Sequence, residues 1–153
     1  MTEGGSDDDF AAERRDGRIA ETVSFQLLVA VNRLTRPFHE RHGRHAAVTL
    51  TEWRCMMALA ARPGQSGEDV ALLMGLDRMT VSRTLRRLEA RGAAARASDP
   101  QNRRRNRWRL LPAGWRVVDA VLPEALRRDR ELFGDLSAEE RAVLARVLRR
   151  IAP

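Results

Sequence analysis

The chain has 153 residues, enough for one domain with a sizeable core, and its 43% hydrophobic content with only ten Gly and six Pro excludes a disordered or low-complexity protein. A formal net charge of +7 points to a polyanionic partner, and no apolar run reaches membrane-spanning length. The single cysteine, Cys55, excludes an internal disulfide framework and suits a reducing cytoplasm.

All 28 basic residues are Arg. A GC-rich genome favours Arg and Ala codons, so the placement of the Arg carries more information than their number. The first residues, MTEGGSDDD, are acidic and Gly-rich; 1–15 reads as a flexible tail with neither the positive start nor the apolar core of a signal peptide. From 16 to 41 the sequence predicts a helix, with Val23, Leu27, Val31 and Leu34 as one apolar stripe and Pro37 set to kink or end it. A helix this aliphatic needs a core or a second subunit to pack on, and 16–47 is read as a dimerisation helix and connection. His39, His42 and His45 then recur every third residue beside Glu40, a spacing that suits zinc on one helix face. Gly43 interrupts that run and no Cys lies nearby, so a solvated Arg-rich connection outweighs a metal site.

Thr49 and Glu52 form a T-x-x-E capping box opening a helix to Ala61, whose apolar side is Trp53, Met56, Met57 and Leu59. Within it, Cys55 reads as a small buried hydrophobe ahead of a redox sensor. Residues 62–65 read as a turn. Ser66 with Asp69 starts a short helix with Val70, Leu72 and Leu73 apolar, ending at Gly75; Asp77 caps the next, with Thr80 three residues on. Two short helices joined by Gly75-Leu76 have helix-turn-helix spacing.

The second of these runs from Arg78 to about Arg91 and stops at Gly92. Val81, Leu85 and Leu88 face inward, while Met79, Arg83 and Arg86, flanked by Arg78, Ser82 and Arg87, face outward. Only Glu89 offers these Arg an intrahelical partner. Strands are predicted at 93–97 and 107–111 around a turn at 99–102, with Arg103, Arg104 and Arg105 at the tip. From Arg78 to Arg109 there are eleven Arg against Glu89 and Asp99, a local net of +9, while the rest of the chain nets −2. Codon bias would spread Arg evenly, so this asymmetry marks a surface.

After 112–114 a long helix follows, with Trp115, Val118, Val121, Leu122, Ala125 and Leu126 as its stripe and Pro123 as a bend, ending near Gly134. Ser137 to Glu140 caps a last helix with Val143, Leu144, Val147, Leu148 and Ile151 apolar. The expected fold is mainly α with a small β-wing: a winged helix-turn-helix DNA-binding lobe at 48–112, flanked by the N-terminal segment and by C-terminal dimerisation helices at 113–153.

This order, with T-L-T-E-W-R at 49–54, D-R-M-T-V-S-R-T-L-R-R-L-E-A-R-G at 77–92, D-P-Q-N-R-R at 99–104 and L-L-P-A-G at 110–114, resembles the multiple antibiotic resistance regulator (MarR) family of bacterial transcription factors. The resemblance implies a sequence-specific, homodimeric binder of double-stranded DNA on a near-palindromic operator. It implies a repressor released by a small aromatic or phenolic effector bound between the dimerisation helices and the lobe. On that reading Arg78, Met79, Thr80, Ser82 and Arg83 meet bases in the major groove, Arg83 first among them, and Arg86 and Arg87 hold the backbone. Arg104 takes the position that the family inserts in the minor groove, with Arg103, Arg105 and Arg107 as phosphate clamps. Asn102 stands where the family usually has an Asp that braces a recognition-helix Arg. Trp53, Met56 and Met57 are candidates for an effector pocket, although ordinary core packing explains them as well.

The alternatives are a sensor of oxidants through Cys55 or of zinc through the three His, and a low-specificity architectural DNA coat. No Gly-rich phosphate loop, nucleophile elbow or acid–base pair marks an enzyme. No cofactor or membrane partner is expected, and the location expected is the bacterial cytoplasm, at the nucleoid when bound to DNA.

Overall fold

The computed structural model describes residues 18–37, 48–99, 102 and 105–152. The chain divides into two compact units, Met1–Pro37 and Phe38–Pro153.

The first unit contributes helix α1, Val23–Pro37. Residues 18–20 are helical as well, and the run predicted from 16 is broken at Glu21 and Thr22. The Thr22 hydroxyl donates to Ile19 O at 2.7 Å and accepts from the Phe25 N–H at 3.2 Å, taking the role of an N-cap. The stripe formed by Val23, Leu27, Val31 and Leu34 is exposed. Residues 38–41, predicted to continue this helix, lie outside the described residues.

In the second unit, α2 (Leu50–Ala61) opens on the expected capping box: Glu52 Oε2 accepts from the Thr49 N–H at 2.8 Å, and the Thr49 hydroxyl accepts from the Glu52 N–H at 3.2 Å. Strand β1 (Gln65–Ser66) leads into α3 (Gly67–Met74), capped by Ser66 and Asp69 as predicted. Gly75, at φ 61°, makes the left-handed turn that only glycine adopts cheaply. Helix α4 (Arg78–Ala90) follows, with the Asp77 carboxylate accepting from the Thr80 N–H at 2.8 Å.

Strands β2 (Ala94–Ser98) and β3 (Asn106–Leu110) pair antiparallel, with Ala94 opposite Leu110 and Arg96 opposite Trp108. Each is displaced by one residue from its predicted range. Ala93 lies instead in the turn that follows α4, its N–H donating back to Leu88 O at 2.8 Å, and Leu111 becomes the cap residue of the next helix. The sheet has a third member that the sequence reading missed: Gln65, assigned to a turn, pairs with Trp108, and Ser66 with Arg107. A two-residue strand has no periodicity to detect.

Helix α5 (Pro112–Phe133) carries Pro123 inside it, and α6 (Ala138–Ile151) is capped by Ser137 and Glu140 as predicted. Met56, Leu59, Val70, Val81, Leu85 and Leu88 fill the centre, and Val118 and Val121 of α5 close it. Two predicted core positions point outward. Leu72 is 85% exposed because residues two apart on a helix face opposite ways, and Val70 takes the inward place with Ala71. Met57, beside the buried Met56, lies on the outer side of α2. Gly114 is required for close packing: a Cβ there would come within 2.2 Å of Ala93 O, so the first turn of α5 rests directly on the backbone at the base of the wing.

Candidate nucleic-acid interface

The surface is built on α4. Val81, Thr84, Leu85 and Leu88 are buried and fix the helix to the core, which turns the opposite face to solvent. On that face Arg78, Met79, Arg83, Arg86 and Arg87 are exposed, and Thr80 and Ser82 are half-buried at its margin. Asp77, held below the usual carboxylate range by the hydroxyl and backbone N–H of Thr80, caps this helix as an anion at neutral pH.

The wing is braced from within. Arg96 Nε lies 3.3 Å from Glu89 Oε1 of α4, and its guanidinium carbon is 6.0 Å from the centre of the Trp108 ring. At the hairpin end the Asp99 N–H donates to Arg105 O at 2.9 Å, and the Asn102 and Arg105 N–H groups donate to Asp99 O and Asn102 O. The buried Asp99 carboxylate lies 3.0 Å from Arg107 Nε. The Arg107 side chain also donates to Gly64 O at 3.4 Å. The turn therefore has its own charged brace in Asp99–Arg107, although Asn102 brings no charge.

Arg105, in the wing turn just ahead of β3, lies 3.7 Å from Glu68 Oε2 and 3.7 Å from Asp69 Oδ1 of α3. Arg78 lies 2.6 Å from Glu68 Oε1. Between α3, α4 and the wing runs an open cleft of about 260 Å³ whose walls include Arg78, Arg86, Arg96, Arg105 and Ser82. The structure thus gathers α4 and wing Arg around one groove. Arg103 and Arg104, the remaining wing candidates, lie outside the described residues. Sequence reading missed Arg96, Asp99 and Glu68 as organising residues: their partners are distant in the chain or across a turn, and a charge run alone does not reveal pairing.

Of the other candidate groups, Trp53 and Met56 are buried in the core and Met57 is exposed. None of the three lines the cleft. Cys55 is fully buried, and burial pushes its thiol up to about 11, against a lowering by Arg54, so the thiolate that an oxidant would attack is scarce at neutral pH. His39, His42 and His45 lie outside the described residues; among the described ones no group of His, Cys, Asp and Glu is placed to hold a metal. Among the described residues, too, no helix is long and apolar enough to cross a membrane.

A family model described as "MarR family" matches residues 48–105. The transcriptional regulator HosA of Escherichia coli is 31% identical over 117 residues, covering 74% of this chain and 85% of that protein. Among solved structures, the regulator BpsR of Bordetella bronchiseptica, whose DNA binding is regulated by 6-hydroxynicotinic acid, is 27% identical with a TM-score of 0.69, covering 87% of this chain and 100% of that one. A MarR-family regulator from Silicibacter pomeroyi shares the fold with a TM-score of 0.79 at 21% identity, over 87% of this chain and 89% of that one.

Proposed function

The chain belongs to the MarR family of DNA-binding transcriptional regulators, and on that premise we propose that it is a sequence-specific repressor, binding a near-palindromic operator as a homodimer in the bacterial cytoplasm. The observation that carries this is the outward face of α4. Its Arg are anchored by a buried opposite face, and they belong to the stretch that holds the chain's whole positive excess. The major groove admits an α-helix of this kind, where Arg83 meets a guanine edge and Thr80 and Ser82 serve bases or phosphates. Arg86 and Arg87 hold the backbone, and the wing Arg103 to Arg107 follow the neighbouring strand, with Arg104 in the minor groove.

The dimer is supported by apolar residues exposed on α6, Val143, Val147, Leu148 and Ile151, in a helix that has no buried residue. Residues 16–47 and 113–153 serve as the dimerisation segments around the lobe at 48–112. The effector is a small hydroxylated aromatic acid, the class to which BpsR responds.

Selection of duplexes from a random-sequence pool by the purified protein, followed by footprinting, tests the reading. It expects an inverted repeat with half-site centres about one helical turn apart. Enrichment of no sequence would overturn it in favour of an architectural coat, and titrating 6-hydroxynicotinate against the bound duplex tests the effector class.

A further inference from the structure

We propose that Glu68 is a specificity-determining residue: it occupies Arg78 and Arg105 in place of DNA phosphate, and gives them up only when α4 is seated on its proper sequence. The inference rests on the DNA-binding reading above.

Glu68 stands in the first turn of α3, on the wall of the Arg-lined cleft, and is the one carboxylate among the described residues that line it. Its two oxygens are divided between two DNA-facing elements: Oε1 is 2.6 Å from Arg78 of α4, and Oε2 is 3.7 Å from Arg105 of the wing, which lies equally close to Asp69 Oδ1. A guanidinium fork donates to carboxylate and to phosphate in the same geometry, so each contact is one that a phosphate can replace. All three side chains are about half exposed or more, so the exchange needs no unfolding. Exposed ion pairs are weak, which makes the exchange reversible, yet a phosphate that takes either Arg must approach the Glu68 carboxylate left behind. That repulsion is opposed only when base contacts hold α4 deep in the groove. On unrelated sequence the protein rides on looser backbone contacts, Glu68 keeps its Arg, and sequence-independent attraction is reduced. A role confined to the helix dipole of α3 would alter stability but not counterion release.

The test compares wild-type full-length protein with Glu68→Gln on two probes, a duplex selected from a random pool by the wild type and poly(dI–dC), with affinity measured as a function of salt. On poly(dI–dC) the variant should show a log–log salt slope steeper by about 0.9 for each phosphate that Arg78 or Arg105 takes up, and bind several-fold tighter at low salt. On the selected duplex its slope should equal that of the wild type, so the ratio of the two affinities falls. Arg78→Gln should do the reverse, flattening the slope on the selected duplex and leaving it unchanged on poly(dI–dC). Glu139→Gln, the same charge change on α6, should move neither. Equal slopes for wild type and Glu68→Gln on poly(dI–dC), equal steepening on both probes, or the same effect from Glu139→Gln would each overturn the proposal. A wild type that prefers no duplex over poly(dI–dC) would overturn the DNA-recognition reading and this inference with it, whereas a selective wild type with unaltered variant slopes would overturn this inference alone.

Discussion

Glu52 Oε1 lies 3.5 Å from Nη1 of Arg91, so the buried carboxylate that caps α2 also holds the residue that ends α4. The same side chain accepts from the backbone N–H and hydroxyl of Thr49, at 2.8 and 3.1 Å. Replacing it with Ala removes the capping box of α2 and the charged hydrogen bonds that the Glu52 carboxylate makes with Thr49. Glu52→Ala should lose about 1–3 kcal/mol in urea denaturation. Arg91 is more than half exposed and can rehydrate, so Arg91→Ala should cost less.

Gly114 has no room for a side chain. A methyl group there meets the carbonyl oxygen of Ala93, a backbone atom that cannot swing away. Gly114→Ala should therefore destabilise by about 1–3 kcal/mol although Ala is the better helix former, read as a lowered Tm. An unchanged Tm would show that α5 and the base of the wing separate easily.

Arg83 and Arg86 occupy one exposed face but are assigned different duties. Arg83→Ala should cost about 1–3 kcal/mol on the selected duplex and relax preference at one base position, while Arg86→Ala should weaken all sequences alike and reduce the salt slope by about 0.9. Quantitative binding to single-substitution duplex libraries separates the two. Uniform weakening by Arg83→Ala would reassign it to the phosphate backbone.

Val147 lies on the α6 face that the single chain leaves open. Val147→Glu should give a monomer in sedimentation at micromolar protein where the wild type is a dimer, and should weaken operator binding by removing the second half-site contact. A variant that stays dimeric would place the interface elsewhere.

Three cap carboxylates, Asp69, Asp77 and Glu140, are held below their usual range chiefly by hydrogen bonds from Ser66, Thr80 and Ser137. Each stays ionised to lower pH in the folded chain than in the unfolded one. The stability they supply is therefore complete above the ordinary carboxylate range and is lost as pH falls through the lower folded values, below about pH 4. Thermal melts from pH 7 to pH 3 should show this loss, and Asp77→Asn, which caps without titrating, should make the acid limb shallower. An identical acid limb in the variant would remove Asp77 from that account.

The boundaries of α2, α3, α4 and α6 were legible because each begins with a hydrogen bond made three residues away, from Thr49, Ser66, Asp77 and Ser137. Capping is local chemistry, and residue order alone specifies it. The outward, Arg-bearing side of α4 was legible for a related reason: helical periodicity that turns Val81, Leu85 and Leu88 inward must turn Arg83 and Arg86 outward. The net charge of the stretch is likewise a property of order. Tertiary structure decided what those charges touch. Glu68 meets Arg105 across 37 residues of chain, Arg107 meets the backbone of Gly64 across 43, and Gln65 becomes a strand only because Trp108 arrives beside it. Packing also divided apolar stripes that the sequence presents as uniform. On α5, Val118 and Val121 enter the core while Leu122 and Leu126 remain exposed, because the lobe covers only part of the helix circumference. Local spacing determines elements and faces, whereas the pairing of charges and the choice among apolar residues depend on which distant surfaces the fold brings together.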